Sequence, residues 1–219
     1  MTESPVQPQN RTGKPADRSS GSILLKGGAL LTMAQVVASG GNYALNLLLG
    51  RWLTPHEFGD ASLIVTLMLL SSSIALGLQL VSARAVILSR STRATDTPEE
   101  ALAAADMIGR LNRWAWVAGI CLGLAMAVGA PIWQELLNTQ SMMPFVLLGV
   151  GMPWYLAQAV GRGRLQGTLR FFPLATSFVV EMVVRVGLSV ALVAAGFGVS
   201  GAAVGLAASF VATWIAVRI

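Results

Sequence analysis

The segment ASLIVTLMLLSSSIALGLQLVSA, at residues 61–83, contains no charged side chain. A helix needs about 20 predominantly apolar residues to span the hydrocarbon core of a bilayer, so this segment predicts a membrane span. Five further apolar segments lie in the chain, and the six predicted spans cover approximately residues 27–50, 61–83, 114–137, 143–160, 172–195 and 199–217. We therefore expect an all-α, polytopic membrane protein with one six-helix transmembrane bundle over residues 23–219.

The overall composition excludes an ordinary soluble domain. Of the 219 residues, 54% are hydrophobic and 11% are charged, whereas about 25% of the residues of an average soluble domain are charged. Residues 1–22 differ from the rest because they consist mainly of proline and polar residues, which cannot bury enough apolar surface to fold. This segment is predicted to be a disordered cytoplasmic tail.

The connection between spans two and three contains the start of a helix. Thr97-Pro98-Glu99-Glu100 has the pattern of a capping box, with threonine as the N-cap and proline at the first helical position. The helix is predicted to continue from Pro98 into span three.

The basic residues indicate how the spans are oriented. A net charge of +5 can indicate nucleic-acid binding in a soluble protein, but here Lys and Arg lie at the ends of apolar segments, so we expect no nucleic-acid partner. Thirteen of them fall in the tail and the connections on one side, including Arg162, and one, Arg51, falls on the other side. Because cytoplasmic loops are enriched in Lys and Arg, both termini are predicted to lie in the cytoplasm.

Few residues could support metal or covalent chemistry. The chain has one cysteine, Cys121, and one histidine, His56, so we expect no metal site and no cofactor. Gly198-Val199-Ser200-Gly201 matches the Gly-x-Ser-Gly pattern of rhomboid intramembrane proteases. A serine nucleophile needs a base within hydrogen-bond reach, however, and the single histidine lies in a short turn outside the spans. We therefore expect that the protein is not an enzyme.

Polar side chains form one face of span one. Gln35, Ser39, Asn42 and Asn46 recur at helical spacing, and each would be costly in contact with lipid, which offers no hydrogen-bond partner. The face therefore points at protein or at a water-filled cavity. Two interpretations remain open: the residues form hydrogen bonds between helices, or they line a cavity that binds a ligand.

Span five contains two ionisable residues, Glu181 and Arg185, one helical turn apart. Charged residues inside a membrane span often belong to functional sites. Three interpretations remain open: the pair neutralises itself and only packs the bundle, Arg185 attracts an anion, or Glu181 couples transport to protons.

The turn between spans one and two, GRWLTPHEFGD at residues 50–60, resembles a family signature. The signature is the Arg-x-Leu-Gly-Pro-x-Glu-Phe-Gly motif of the polysaccharide exporter and O-antigen (Wzx-like) flippases, in the multidrug/oligosaccharidyl-lipid/polysaccharide exporter superfamily. Thr54 replaces its first glycine, and the matching residues are Arg51, Pro55, Glu57, Phe58 and Gly59. On this interpretation Thr54 and Pro55 start a turn and Gly59 ends it, and Arg51 and Glu57 can pair or contact lipid headgroups across the turn. Residues 164–171 and 195–202 resemble the connections of the same family after spans four and five.

The resemblance implies transport of a polyprenyl-diphosphate-linked oligosaccharide across the bacterial inner membrane. Family members contain two six-helix lobes around a cavity, so the chain corresponds to the N-terminal lobe and is expected to act with a second lobe or as a homodimer. The candidate residues that line the cavity or contact the headgroup are Gln35, Asn42, Asn46, Arg84, Glu181 and Arg185. Arg84, at the end of span two, could pair with the diphosphate or serve only to orient the span.

Two other functions remain open. The chain could be a scaffold or a remnant in a polysaccharide assembly complex that transports nothing by itself. It could also be half of a multidrug or cation antiporter, as in the sister branch of the superfamily. Acidic residues inside the spans would favour antiport, and Glu181 is the only one near the middle of a predicted span.

Overall fold

The computed structural model describes the backbone of residues 18–93 and 98–219 and the side chains of residues 25–89 and 106–219. Over these residues the chain is almost entirely helical and contains no strand. The helices are α1 (Arg18–Trp52), α2 (Pro55–Arg93), α3 (Pro98–Val128), α4 (Ala130–Leu136), α5 (Met143–Gly167), α6 (Phe171–Leu192) and α7 (Gly198–Ala216). A π-helical turn, Val193–Phe197, joins the last two. The predicted all-α bundle is confirmed, and α4 is a short helix at the end of the predicted third span.

Several helix ends differ from the expected boundaries. The first helix begins at Arg18, so residues 18–22 are helical, and the rest of the predicted tail lies outside the described residues. The third helix begins at Pro98, as the capping pattern predicts, although Thr97 itself is outside the described residues. The predicted third span is interrupted at Gly129, and Pro131 follows in the first turn of α4. Proline is tolerated there because the first amides of a helix have no acceptor within it.

A tight reversal separates α6 from α7. Gly196 has a φ angle of 89° and Gly198 one of 50°, a region that favours glycine because it has no Cβ. After the reversal the two helices pack closely along each other. A Cβ atom added to Gly205 would lie 2.6 Å from the backbone nitrogen of Ser189, so the small residue allows the two backbones to approach.

The fifth helix is the centre of the bundle. It packs against α2, α3 and α7, and it supplies fully buried side chains such as Leu148, Met152 and Leu156. Its backbone contacts that of α3, because a Cβ atom added to Gly149 would lie 2.5 Å from the carbonyl oxygen of Gly123. Such contacts through small residues are typical of helices packed in membranes, where the approach of two backbones supplies the packing energy.

The first helix lies apart from the second. It packs along α6, where Gly41 faces the side chain of Met182, and it makes few contacts with α2 although the two are consecutive. Because α7 in turn packs on α6, the helices α1, α2, α6 and α7 surround a space on one side of the bundle. This arrangement positions the candidate site.

The outer surface is apolar, as a membrane protein requires. Large hydrophobic side chains such as Leu70, Val128 and Phe172 are exposed. Four stretches of the described chain are long and apolar enough to cross a membrane, namely Pro55–Ser89, Asp106–Val128, Met143–Gly167 and Phe171–Ala216, the last of which includes both α6 and α7. The described part of α1 is not among them. The chain is thus a multi-pass membrane protein.

Candidate ligand-binding site

Two arginines and one glutamate form a buried cluster between α5 and α6. The Glu181 carboxylate accepts a hydrogen bond of 2.6 Å from Arg162 of α5, and its other oxygen pairs with Arg185 one turn further along α6. The arginine side chains are 10% exposed and the glutamate side chain 13%. Two guanidinium charges against one carboxylate leave the cluster with a net charge of +1.

Further contacts fix Arg162 in place. Its Nε donates to the Ser177 hydroxyl and its terminal nitrogen donates to the Ser177 carbonyl oxygen, both at 3.1 Å. The guanidinium also lies 4.2 Å from the centre of the Phe178 ring, a distance suited to a cation–π contact. Since all these partners belong to α6, Arg162 attaches α6 to the central helix.

Arg185 is less fully satisfied than Arg162. It donates to the side-chain oxygen of Asn42 on α1 at 3.5 Å, the outer limit for a hydrogen bond, and it lies 5.8 Å from the centre of the Phe210 ring. Its Nε is buried and has no hydrogen-bond partner among the described residues. A buried donor without a partner costs free energy, so this guanidinium retains capacity for a further acceptor.

A cavity of about 230 Å³ lies beside Arg185, between α1, α2, α6 and α7. Most of its wall is aliphatic, and the polar groups are concentrated on α1 and α6. The lining residues are Asn42, Leu45, Asn46, Leu49, Ala61, Ile64, Val65, Met68, Leu69, Arg185, Ser189, Val199, Ala202, Ala203 and Leu206. Arg185 is the one charged residue in this lining. The combination of a long apolar wall and a few convergent polar groups is typical of sites for small or amphiphilic ligands.

The structure brings together some of the predicted site residues and separates others. Asn42, Asn46 and Arg185 line the cavity, while Glu181 lies behind it in the charged cluster. Gln35 and Arg84 are exposed on α1 and α2 and belong to neither the lining nor the cluster. The polar face of α1 therefore reaches the cavity over only part of its length.

The family-motif turn has a different structure from the expected one. The Glu57 carboxylate accepts hydrogen bonds of 2.9 Å from both the amide and the hydroxyl of Thr54, and the Glu57 amide donates back to that hydroxyl at 3.3 Å. This is a capping box for α2, with Pro55 at the first helical position. The predicted pairing of Arg51 with Glu57 is thus replaced by the contacts with Thr54. Gly59 lies inside α2 instead of ending a turn, because the box starts the helix earlier.

Sequence reasoning missed Arg162 as a site residue. The distribution of basic residues places it among the cytoplasmic loop cations, whereas in the structure it lies inside α5 and is buried. Glu181 is the residue of the sequence that indicates such a partner. A buried carboxylate loses its hydration, and one arginine on the same helix does not offset that loss, so a second cation from another helix is expected.

Comparison with solved structures shows the fold. A multidrug resistance MATE family transporter of the MOP superfamily, in an outward-facing conformation, matches with a TM-score of 0.63 at 20% identity. MATE in complex with MaD3S matches with a TM-score of 0.63 at 21% identity. A MOP superfamily transporter from Pyrococcus furiosus, for which a reverse polarity of the binding pocket suggests a different function, matches with a TM-score of 0.62 at 19% identity.

Each match covers 88% of this chain and 44% of the other. The chain therefore shares its fold with about half of each of these transporters and spans less than half of their length. No protein-family model and no curated protein matches the sequence.

Proposed function

We propose that the chain forms one lobe of a transporter that flips a polyprenyl-diphosphate-linked oligosaccharide between the leaflets of the bacterial inner membrane. The observation that carries this proposal is Arg185, the charged residue in the cavity lining, in a cluster with a net charge of +1. A guanidinium pairs with phosphate oxygens through two parallel hydrogen bonds. The aliphatic wall beside it is suited to the start of an isoprenoid tail.

The second lobe is part of the proposal. The cavity is formed by four helices of this chain and opens beside Val65 and Leu69, both of which line it and are exposed at the outer surface. Because the structural neighbours are about twice as long as the matched region, a second six-helix lobe or a second copy of this chain would cover this opening.

Multidrug transport is the second candidate. The lining is mainly aliphatic, and two of the structural neighbours are MATE transporters. Against a lipophilic cation stands the charge of the site, since Glu181 already pairs with two arginines and cannot offer a free negative charge. Pocket charge also differs among proteins of this fold, as the transporter from Pyrococcus furiosus is described as having a pocket of reverse polarity.

A binding experiment separates the two candidates. Purified protein in nanodiscs is titrated with geranylgeranyl diphosphate and, separately, with the lipophilic cation tetraphenylphosphonium. We expect the diphosphate to bind and the cation not to bind. Arg185→Gln should weaken diphosphate binding by about tenfold or more, since about 1.4 kcal/mol of lost ion pairing corresponds to a factor of ten.

Arg162→Gln is the matched control. It removes the same charge from the same cluster, but Arg162 does not line the cavity. We expect it to weaken diphosphate binding less than Arg185→Gln does, because it lowers the charge of the cluster but leaves the guanidinium that lines the cavity in place. Equal loss in both variants would contradict a direct role for Arg185. Binding of the cation alone would favour multidrug transport, and binding of neither probe would favour the scaffold alternative.

The proposed orientation has a test of its own. With both termini in the cytoplasm, green fluorescent protein fused after Ile219 should fluoresce, and alkaline phosphatase fused after Asn138, between α4 and α5, should be active. The reverse pattern would place the basic connections on the outer side and contradict the charge argument.

A further inference from the structure

A second cavity, of about 560 Å³, lies between α3, α5 and α7, at the end of the bundle where the arginine-rich connections meet. It is separate from the first cavity and shares no lining residue with it. Its wall includes Trp214, Val217 and Asn112, and three arginines border it, namely Arg164, Arg170 and Arg218.

The three arginines are available to an anion. Among the described residues, none of them forms an ion pair, and no Asp or Glu lines the cavity. The acidic residue closest along the chain to the α3 part of the lining is Asp106, which pairs with Arg110. Three guanidinium groups around one cavity favour phosphate, whose oxygens each can accept charge-assisted hydrogen bonds.

The connection between α5 and α6 positions one of these arginines at the expense of backbone strain. Leu169 has a φ angle of 57°, which glycine usually adopts after a helix, and the Arg170 amide donates to the Leu165 carbonyl at 3.0 Å. This closed connection places Arg170 near the Arg164 end of α5, at the rim of the cavity. The strained non-glycine residue persists because the surrounding hydrogen bonds determine its conformation.

Aromatic and apolar groups form the rest of the wall. The Arg218 guanidinium lies 3.8 Å from the centre of the Trp214 ring, which orients it along the wall. A Cβ atom added to Gly161 would contact the side chain of Val217, so α5 and α7 close the apolar base tightly. A cationic rim above an apolar wall is suited to an amphiphile with a phosphate headgroup.

We propose that the α3–α5–α7 cavity binds the phosphate headgroup of an anionic phospholipid. Basic pockets between membrane helices on the cytoplasmic side commonly bind such headgroups, and the arginine distribution predicts that this end faces the cytoplasm. Neither Arg185 nor the first cavity takes part in this proposal.

Lipid retention tests the proposal. The purified protein is incubated with equal amounts of phosphatidylglycerol and phosphatidylcholine in detergent, and bound lipid is counted by native mass spectrometry. We expect the wild type to retain phosphatidylglycerol in preference to phosphatidylcholine. In the double variant Arg164→Gln/Arg170→Gln, this preference should be about tenfold smaller. The matched control is Arg84→Gln/Arg113→Gln, which removes two exposed arginines from the same predicted side but from neither cavity.

Each other outcome overturns the proposal. Equal loss in both double variants would show general attraction of the surface to anions, and equal retention of both lipids would show no recognition of net charge. Competition by inorganic phosphate or geranylgeranyl diphosphate at lower concentration than phosphatidylglycerol would assign the site to a free anion or an isoprenoid diphosphate. Arg185→Gln should leave lipid retention unchanged, so this proposal and the proposed transport function can fail separately.

Discussion

Replacing Glu181 by glutamine tests how the buried cluster is balanced. The wild-type cluster contains two arginines and one carboxylate, and removal of the carboxylate leaves two buried guanidinium groups without a counter-charge. Removing one partner of a buried ion pair costs about 3–5 kcal/mol. Removing either arginine leaves a neutral pair instead, so Arg162→Gln and Arg185→Gln should each cost less, about 1.5–3 kcal/mol, as for a lost hydrogen bond to a charged group.

Thermal denaturation of the purified protein in detergent measures the difference. A change of 1 kcal/mol shifts the Tm of a chain of 150–250 residues by about 2–4 °C, so Glu181→Gln should lower the Tm by roughly 6–20 °C. Glu135→Gln, the same chemical change at an exposed residue of α4, is the control and should leave the Tm almost unchanged.

A double variant makes the prediction stricter. In Glu181→Gln/Arg162→Gln one of the two unpaired charges is also removed, so the combined cost should be smaller than the sum of the single costs by about 0.5–3 kcal/mol. The reasoning is refuted if Glu181→Gln destabilises the protein no more than either arginine variant does. It is also refuted if the destabilisation in the double variant equals the sum of those in Glu181→Gln and Arg162→Gln.

Three further changes test local features of the fold. Thr54→Ala should destabilise the protein by about 1 kcal/mol and Thr54→Gly by only a few tenths, because both remove the capping hydroxyl but glycine leaves the first amides of α2 more open to water; equal Tm values for the two would argue against the cap. Leu169→Gly should stabilise the protein by about 1 kcal/mol by relieving the left-handed backbone, and a lower Tm would contradict the strain. Gly149→Ala should lower the Tm because its Cβ would meet the α3 backbone, whereas Gly187→Ala, whose Cβ meets nothing within 4 Å, should raise it slightly; similar shifts in both would rule out the close contact.

The fold was largely predictable because its signals are local. Apolar length determines each span, and the helical period brings Asn42 and Asn46 to one side of α1. The start of α2 was missed for a specific reason: Thr54-Pro55-His56-Glu57 has the same capping pattern as Thr97-Pro98-Glu99-Glu100, but the family resemblance suggested a turn at that place. Both α2 and α3 begin at the proline of this pattern, so the capping residues predict both helix starts.

The site was only partly predictable because it depends on contacts between distant helices. Local spacing pairs Glu181 with Arg185, whereas Arg162 reaches Glu181 from another helix. Gln35 shares the polar face of α1, but it lies two turns from Asn42 and the cavity does not extend to it. Neither fact follows from periodicity. The first depends on where α5 crosses α6, and the second depends on where α2 passes α1.

The opening of the first cavity beside Val65 and Leu69 affects how any affinity should be expressed. In the single lobe, where no second lobe covers this opening, both side chains lie on the exposed apolar surface of α2. A ligand with a hydrocarbon tail then meets the cavity after it has dissolved in the membrane. Occupancy then follows the mole fraction of the ligand among the lipids instead of its concentration in water. Titrations at two lipid-to-protein ratios would therefore give different apparent dissociation constants when these are expressed per litre of sample. The two titrations would give the same dissociation constant when it is expressed as the mole fraction of ligand in the lipid.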